Sequence, residues 1–419
     1  MMNRKISSLI ASLALVGVLN CSSNVSALSV GASCSKIHST KTSGNMKFEC
    51  VKLGKKLVWG KGIKISKGFV AKIPISLPVA QNGTITFATI LDHVPEIPKT
   101  AWQKVQDTIA LSSVPALKHD IFVGPNTELT ISNGIAHMDS VIESNTRLWS
   151  GFTLTKHLTL VYYNLTDEQW AEQKVRDVWK AKGYVPSAVS GALNATKINC
   201  ENQSRPGVGG ASLGFCRGGS AGAVTNSDDS FGSIAEGDIE RPDTYGTKLA
   251  HEITHTVQAA QWIGNANCHN EGQNCFRSGL VHAFAPCWIH EGQPNSIGLM
   301  AASTEFSIYM ERGVRPSGKD TSQKVTDFSA ESLRRYLYGQ NPSTCYQNGP
   351  LYQQGYGPGA MAVEALVAIG GPQATMALFA LGAQGQDFPT AFMNVYGISW
   401  SDASTILSKV LATEYATQN

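Results

Sequence analysis

Apolar residues recur along the chain in two patterns, one with the period of a helix and one typical of strands. The 3.6-residue period of an amphipathic helix marks the segments 100–111, 136–152 and 167–182. Short runs rich in β-branched and aromatic residues predict strands at 119–123 and 157–163. These five segments predict a layer of helices packed on a small sheet.

The pattern changes in the second half of the chain. Residues 187–239 are rich in Gly, Ser and Asn and show little periodicity, whereas the chain from about residue 244 is mostly helical. This last part includes a long apolar helix predicted over 360–369. Because the strands precede a run of helices, the sequence predicts an α+β fold with a mostly helical C-terminal part.

The N-terminus has the composition of a secretory signal peptide. Arg4 and Lys5 precede an apolar run at 6–19, and small residues end the segment 1–27. The small residues predict cleavage after residue 27. The apolar run is shorter than the roughly 20 residues that a bilayer-spanning helix needs, and we expect no transmembrane helix in the mature chain. Lipid attachment at Cys21 is a less favoured alternative, because an asparagine precedes it. The predicted location is secreted or cell-surface associated.

The cysteine count agrees with export. Nine cysteines occur, one of them in the predicted signal peptide, and an even number in an exported protein indicates disulfides. A cysteine-rich zinc site is less favoured, because CxxC spacing is absent from the sequence. Proximity in sequence suggests the pairs Cys34–Cys50, Cys200–Cys216, Cys268–Cys275 and Cys287–Cys345.

Residues 28–66 form a predicted small module, followed by a linker over 67–89. Its cysteine pair brackets a loop rich in Lys, Ser and Thr, and so short a piece needs a disulfide for stability. The stretch 34–59 resembles a Cys-pair module of exported actinobacterial proteins, which allows either cell-wall association through its lysines or a solvated basic spacer. The whole chain carries only +3, so we do not expect nucleic acid as a partner.

His251-Glu252-Ile253-Thr254-His255 is an HExxH motif. On a helix, residues four apart share one face, so both imidazoles can reach one metal ion. Glu252 points beside them, where it can act as general base toward a metal-bound water. Asp243 and Thr244 offer an N-terminal cap for the required helix.

Zinc needs a third protein ligand if one position is left for water. Glu291 lies 36 residues after the second motif histidine, in the segment 286–294. His290 and His282 are alternatives, and we expect only one of the adjacent residues His290 and Glu291 to face the helix pair. A metzincin would need histidine where Gln261 stands, so that family is excluded.

The segments HEITHTVQ at 251–258 and WIHEGQPNSIG at 288–298 resemble the gluzincin metallopeptidases, the HExxH zincins whose third ligand is a glutamate on a later helix. The resemblance implies three zinc ligands and one general base, namely His251, His255, Glu291 and Glu252. It also implies a zincin-like catalytic domain over 90–419, in which a mixed sheet and the active-site helix precede a helical subdomain.

Other features bear on this resemblance. Gln293-Pro294 departs from the small and aromatic residues usual in the family and predicts a bend near the ligand helix.

Tyr352 and Tyr356 are candidate catalytic residues that would stabilise an oxyanion, with aromatic packing as the alternative. Glu364 could accept a hydrogen bond from a zinc-binding histidine or form a salt bridge. The segment 221–225 is a candidate edge strand for an extended peptide.

The expected function is that of an exported zinc-dependent endopeptidase, with Zn²⁺ as cofactor and a protein or peptide as substrate. Two alternatives stay open. One is a non-catalytic binding protein on a zincin scaffold, although such a scaffold has no need for Glu252. The other is a zinc amidohydrolase acting on cell-envelope components.

Overall fold

The structure is a computed structural model that describes part of the chain. The described residues are 30–37, 39–43, 46–60, 63–64, 69–183, 205–206, 212–213, 219–223, 229–236, 243–265, 279–311, 325–340, 345 and 349–417. The chain divides into two compact units, Met1–Ile63 and Lys64–Asn419. The predicted signal peptide and the predicted pairs Cys200–Cys216 and Cys268–Cys275 lie outside the described residues.

The first unit contains an antiparallel sheet. Its strands are β1 (Thr40–Ser43), β2 (Met46–Leu53), β3 (Lys56–Trp59) and β4 (Ile63–Lys64), the last of which ends one residue into the second unit. A small core of Phe48, Cys50 and Trp59 lies on one face, where the side chains of paired strands meet. The predicted disulfide Cys34–Cys50 is confirmed and closes this core.

The second unit holds a four-stranded mixed sheet and a separate two-stranded ribbon. The strands are β5 (Lys118–Val123), β6 (His157–Tyr163), β7 (Arg205–Pro206), β8 (Ser212–Leu213), β9 (Gly219–Ala223) and β10 (Asp229–Ala235). The order in the larger sheet is β5-β6-β10-β9, with β9 antiparallel and the other three strands parallel. The predicted strands at 119–123 and 157–163 are confirmed.

The helices of the second unit begin before the sheet and dominate after it. In chain order they are α1 (Ile97–Leu111), α2 (Gly134–Leu148), α3 (Glu168–Ala181), α4 (Thr247–Ala260), α5 (Gly279–Phe284), α6 (Cys287–Gln293), α7 (Leu299–Ala302), α8 (Phe306–Glu311), α9 (Ala330–Gly339), α10 (Gly349–Gln353), α11 (Pro358–Gly370), α12 (Pro372–Ala383), α13 (Phe388–Tyr396) and α14 (Trp400–Thr417). The predicted α+β class is confirmed.

Helices cover both faces of the mixed sheet, which explains why β6 is apolar at almost every position. Val161 and Tyr163 face α3, whereas Leu160 and Tyr162 on alternate positions face α2 and α4. Leu249 and Ile253 of α4 belong to the second of these clusters. The HExxH helix is therefore fixed to the sheet by the face opposite its histidines.

The C-terminal helices form the largest core, around α11 and α12. The indole of Trp288 on α6 stacks on that of Trp400 on α14, with ring centroids 5.2 Å apart. The predicted disulfide Cys287–Cys345 is confirmed and ties the first residue of α6 to a distant segment. Part of the predicted 67–89 linker also contributes to this core, through Ala71, Val79, Ile85 and Phe87.

Within the described part of the chain, a single helix long and apolar enough to cross a membrane is not found. The pair α11 and α12 passes that test only when joined across a bend of 106°. Both helices are buried along nearly their whole length in the C-terminal core.

Candidate metal centre

The N-terminus of α4 is capped by a buried carboxylate. Asp243 Oδ1 accepts hydrogen bonds from the backbone N–H of Thr247 at 2.6 Å and from its hydroxyl at 2.7 Å. The backbone N–H of Lys248 also points to this carboxylate, at 3.1 Å from Oδ2. A negative group here satisfies unpaired N–H donors and complements the helix dipole, so the helix start is fixed one turn before the motif.

The HExxH helix and α6 bring three ligand atoms together. His251 Nε2 and His255 Nε2 are 3.1 Å apart, and Glu291 Oε2 lies 3.6 Å and 3.4 Å from them. Zinc bonds to nitrogen or oxygen of about 2.05 Å in tetrahedral geometry place ligand atoms about 3.3 Å apart. The observed separations bracket this value, so the cluster could hold a metal ion.

Close packing between backbones determines where Glu291 lies. A Cβ added at Gly292 would be 2.5 Å from the carbonyl carbon of Gly359, and one added at Gly359 would be 2.5 Å from the oxygen of Trp288. Helices α6 and α11 can therefore touch only because glycine stands at both positions. A Cβ added at Gly355 would likewise lie 2.8 Å from the Cβ of Glu291.

The cluster is electrostatically coupled when metal-free. Burial raises the pKa of Glu291, but His255 and hydrogen bonds from the neighbouring histidines overcome this effect and leave its pKa well below the usual value. Burial lowers the pKa of His255, yet the Glu291 carboxylate raises it to about 9. In the metal-free protein, the positive charge of protonated His255 therefore balances the negative charge of the buried Glu291 carboxylate. A bound metal ion would supply that positive charge instead.

His290 and Glu291 both face the cluster, so the expectation that only one of them would do so is wrong. His290 Nδ1 lies 3.2 Å from Glu291 Oε1, the oxygen turned away from the motif histidines. Its ring is 4.7 Å from that of His255 and 5.1 Å from that of His282. The Glu291 carboxylate therefore lies between the two motif histidines and His290. It contacts the motif histidines through Oε2 and His290 through Oε1.

Glu252 lies between α4 and the edge strand β9. Its side chain is almost fully buried, and a Cβ added at Gly219 of β9 would be 2.6 Å from its Oε1. The absence of a side chain at Gly219 thus makes room for this carboxylate. The predicted edge strand at 221–225 overlaps β9, although residues 224–225 lie outside the described part of the chain.

Tyr352 and Tyr356 border the same cluster. Their hydroxyl oxygens are 3.1 Å apart, and the ring of Tyr356 stacks on that of His251 with centroids 5.8 Å apart. Burial and the nearby Glu291 carboxylate raise the pKa of both phenols well above the usual value, so both keep their protons. The structure thus brings all six predicted site residues into one region.

One neighbour of the centre was not found from the sequence, and the partner that Glu364 has in the structure was not named. Glu364, fully buried on α11, accepts a hydrogen bond from the hydroxyl of Tyr309. Gln258, three residues after His255 and so on the same helix face, contacts His255 Nδ1 at 2.8 Å. Helical spacing alone could have revealed Gln258 as a neighbour of the second motif histidine.

Comparison of the chain with protein-family models, with characterised proteins and with solved structures yields no match.

Proposed function

We propose that this protein is a zinc-dependent endopeptidase of the gluzincin type, with a zincin-like catalytic domain. The observation that carries the proposal is the spacing of the three ligand atoms, 3.1 to 3.6 Å, with the buried carboxylate of Glu252 near His255. Two imidazoles and one carboxylate are the protein ligands typical of catalytic zinc, with a further position for water or substrate.

His251, His255 and Glu291 would hold the metal. Zinc bound there supplies Lewis acidity, which polarises a substrate carbonyl and lowers the pKa of a water molecule toward about 7. Glu252 takes the proton of the attacking water and returns it to the leaving amine. Its place against the β9 backbone keeps the carboxylate within reach of a substrate that lies along that strand.

Tyr352 and Tyr356 are proposed to stabilise the oxyanion. An oxyanion needs donors that remain protonated at neutral pH, as a tyrosine ordinarily is, and burial raises the pKa of both phenols further. Tyr356, stacked on His251, is held in a fixed orientation at the cluster.

The edge strand favours a peptide over a non-peptide amide as substrate. In the described sheet β9 lies at the edge, packs on α4 and runs antiparallel to β10. An extended peptide adds to such an edge through main-chain hydrogen bonds. A cell-envelope amide without an extended backbone would not use this feature.

The proposal is tested by zinc content and casein cleavage of the mature wild-type protein and the Glu252→Gln variant. We expect one zinc per chain in both proteins and cleavage only by the wild type. One zinc with no cleavage by either would support the non-catalytic scaffold or a non-peptide substrate. Absence of zinc from the wild type would refute the ligand assignment.

We propose further that the protein is exported and that its first unit associates with anionic polymers of the cell wall. Residues 28–63 contain seven lysines and one glutamate, a net charge of +6 within a chain of only +3. The hairpin between β2 and β3 exposes Lys52, Lys55 and Lys56 around Gly54. Opposite charges on a polymer would relieve the repulsion among these lysines.

Co-sedimentation with purified cell walls tests this association. Replacing Lys52, Lys55 and Lys56 with Gln should release the full-length protein into the supernatant and make residual binding less sensitive to salt. A matched triple variant removes three exposed lysines of the second unit, Lys118, Lys180 and Lys409. Equal loss of binding by the two variants would indicate general charge attraction and contradict a role for the first unit.

A further inference from the structure

A buried chain of hydrogen bonds leads from the outer nitrogen of His255 to helix α12. His255 Nδ1 is 2.8 Å from Gln258 Oε1, and Gln258 Nε2 donates to Gln293 Oε1 at 2.8 Å. Gln293 Nε2 then donates to the hydroxyl of Thr375 at 2.7 Å, which donates to the carbonyl of Pro372 at 2.7 Å. The three linking side chains are fully buried.

The carbonyl of Pro372, the last acceptor, determines which group donates and which accepts in each hydrogen bond of the series. The carbonyl of Pro372 can only accept, so the one proton of the Thr375 hydroxyl is used there. Thr375 must therefore accept from Gln293, which places the amide nitrogen of Gln293 toward Thr375. The amide oxygen of Gln293 then faces Gln258, which must donate to it.

A second backbone carbonyl gives the same orientation independently. Gln258 Nε2 also donates to the carbonyl oxygen of His290 at 3.0 Å, and that oxygen too can only accept. The amide oxygen of Gln258 is thereby left facing His255, whose Nδ1 must carry a proton. In the neutral ring the free electron pair then lies on Nε2, the atom that faces His251 and Glu291.

We infer that Gln258, held by Gln293 and Thr375, is a positioning residue that locks His255 in the tautomer required for metal binding. The inference rests on the proposed metal centre for its functional meaning. A metal ion needs a ring nitrogen without a proton, and the partner of the other nitrogen determines which one that is. This explains why Gln293, a departure from the family pattern, stands two residues after the ligand glutamate.

A zinc-binding histidine often contacts a carboxylate through its outer nitrogen. Here the partner of His255 and the side chains that hold it are all neutral. The hydrogen-bond chain orients the ring without adding another negative charge to a region that already buries Glu252 and Glu291. All its members are satisfied within the fold, and removing any one leaves a buried polar group without its partner. We therefore expect the orientation of His255 to be sensitive to Thr375, on a helix that contributes no ligand.

The first test compares Gln258→Leu with Gln261→Leu. Gln261 is a matched control, since it follows one turn later, is equally buried and donates to the carbonyls of Thr153 and Val257 rather than to a ligand. With zinc affinity measured by chelator competition, Gln258→Leu should raise Kd about 10- to 100-fold. An equal effect of the two variants would overturn the inference.

A double-mutant cycle tests whether Thr375 acts through Gln258. Thr375→Val keeps the shape of the side chain and removes the hydroxyl, and we expect it to weaken zinc binding several-fold in the wild-type background. The same change should have no further effect in the Gln258→Leu background. Additive effects would mean that Thr375 stabilises the fold only and that the chain does not transmit orientation.

Nitrogen-15 NMR of histidine-labelled protein gives a readout that does not depend on metal binding. At a pH above the titration of His255, the metal-free wild type should show His255 protonated at Nδ1, whereas Gln258→Leu should show a mixture of tautomers. If the wild type binds no zinc yet shows this tautomer, the proposed function fails and the positioning role stands. A mixture of tautomers in the wild type would refute the positioning role itself.

Discussion

Gly292 is the position where one added methyl group should disrupt the proposed metal centre without touching an atom of His251, His255 or the Glu291 carboxylate. In Gly292→Ala the new Cβ would lie 2.5 Å from the carbonyl carbon of Gly359 and 2.6 Å from its oxygen. Ordinary contacts begin near 3.4 Å. Because the opposing atoms belong to the backbone of α11, the clash can be relieved only if the two helices separate, by about 1 Å.

The expected magnitudes follow from two opposing effects. Overpacking between close elements costs about 1–3 kcal/mol, while alanine in place of glycine inside a helix returns about 1 kcal/mol. We expect the metal-free protein to lose about 1–2 kcal/mol, because neither backbone can rotate away as a side chain would. Zinc affinity should fall about tenfold or more, since ligand distances tolerate only about 0.2 Å and Glu291 adjoins the clash.

Chelator competition and thermal unfolding measure the two effects separately. Gly339→Ala is the control, because Gly339 also lies in a helix and an added Cβ there meets no atom within 4 Å. We expect this control to keep zinc affinity and to keep or slightly raise the melting temperature. If Gly292→Ala binds zinc as tightly as Gly339→Ala does, the close approach of α6 and α11 does not position Glu291 and the reasoning is wrong.

Three further predictions concern protons and stability. Zinc binding at pH 7 should release at least about one proton, because His255, with a pKa of about 9 when metal-free, must lose its proton to the solvent. Calorimetry in two buffers of different ionisation enthalpy measures this, and a release well below one proton at pH 7 would contradict it. Lys104→Met should lower the free energy of unfolding by about 1–2 kcal/mol without changing zinc affinity, because the Lys104 ammonium donates to two carbonyls at the C-terminal end of α11. An unchanged denaturant midpoint would refute this prediction. Replacing Cys287 and Cys345 with Ser should cost about 4 kcal/mol, from the loop entropy of a 58-residue separation; a loss below about 1 kcal/mol in urea unfolding would contradict it.

The periodic elements were predictable because their patterns are local. Strand 157–163 has the predicted bounds, since a strand covered by helices on both faces is apolar at nearly every position. The predicted helix at 136–152 begins at Gly134 and ends at Leu148, because helix ends depend on caps rather than on periodicity. The motif histidines share a face by helical geometry alone, so their proximity was also predictable.

The surroundings of the centre depend on contacts between segments distant in sequence. The predicted bend at Gln293-Pro294 takes the form of a π-helical turn at 294–298, after which the helix ends at Ala302 and restarts at Phe306. The contact between Gly292 and Gly359 joins helices 67 residues apart. No local pattern shows which glycine of one helix meets which glycine of another.

His251, His255 and Glu291 are proposed to hold one zinc ion together. Zinc content after dialysis against a weak chelator tests this proposal most directly, in the wild type, Glu291→Gln and Glu414→Gln. Glu414 is a buried carboxylate of α14 that lies outside the ligand cluster. We expect one zinc per chain in the wild type and in Glu414→Gln, and little in Glu291→Gln. Retention of a full zinc equivalent by Glu291→Gln would contradict it.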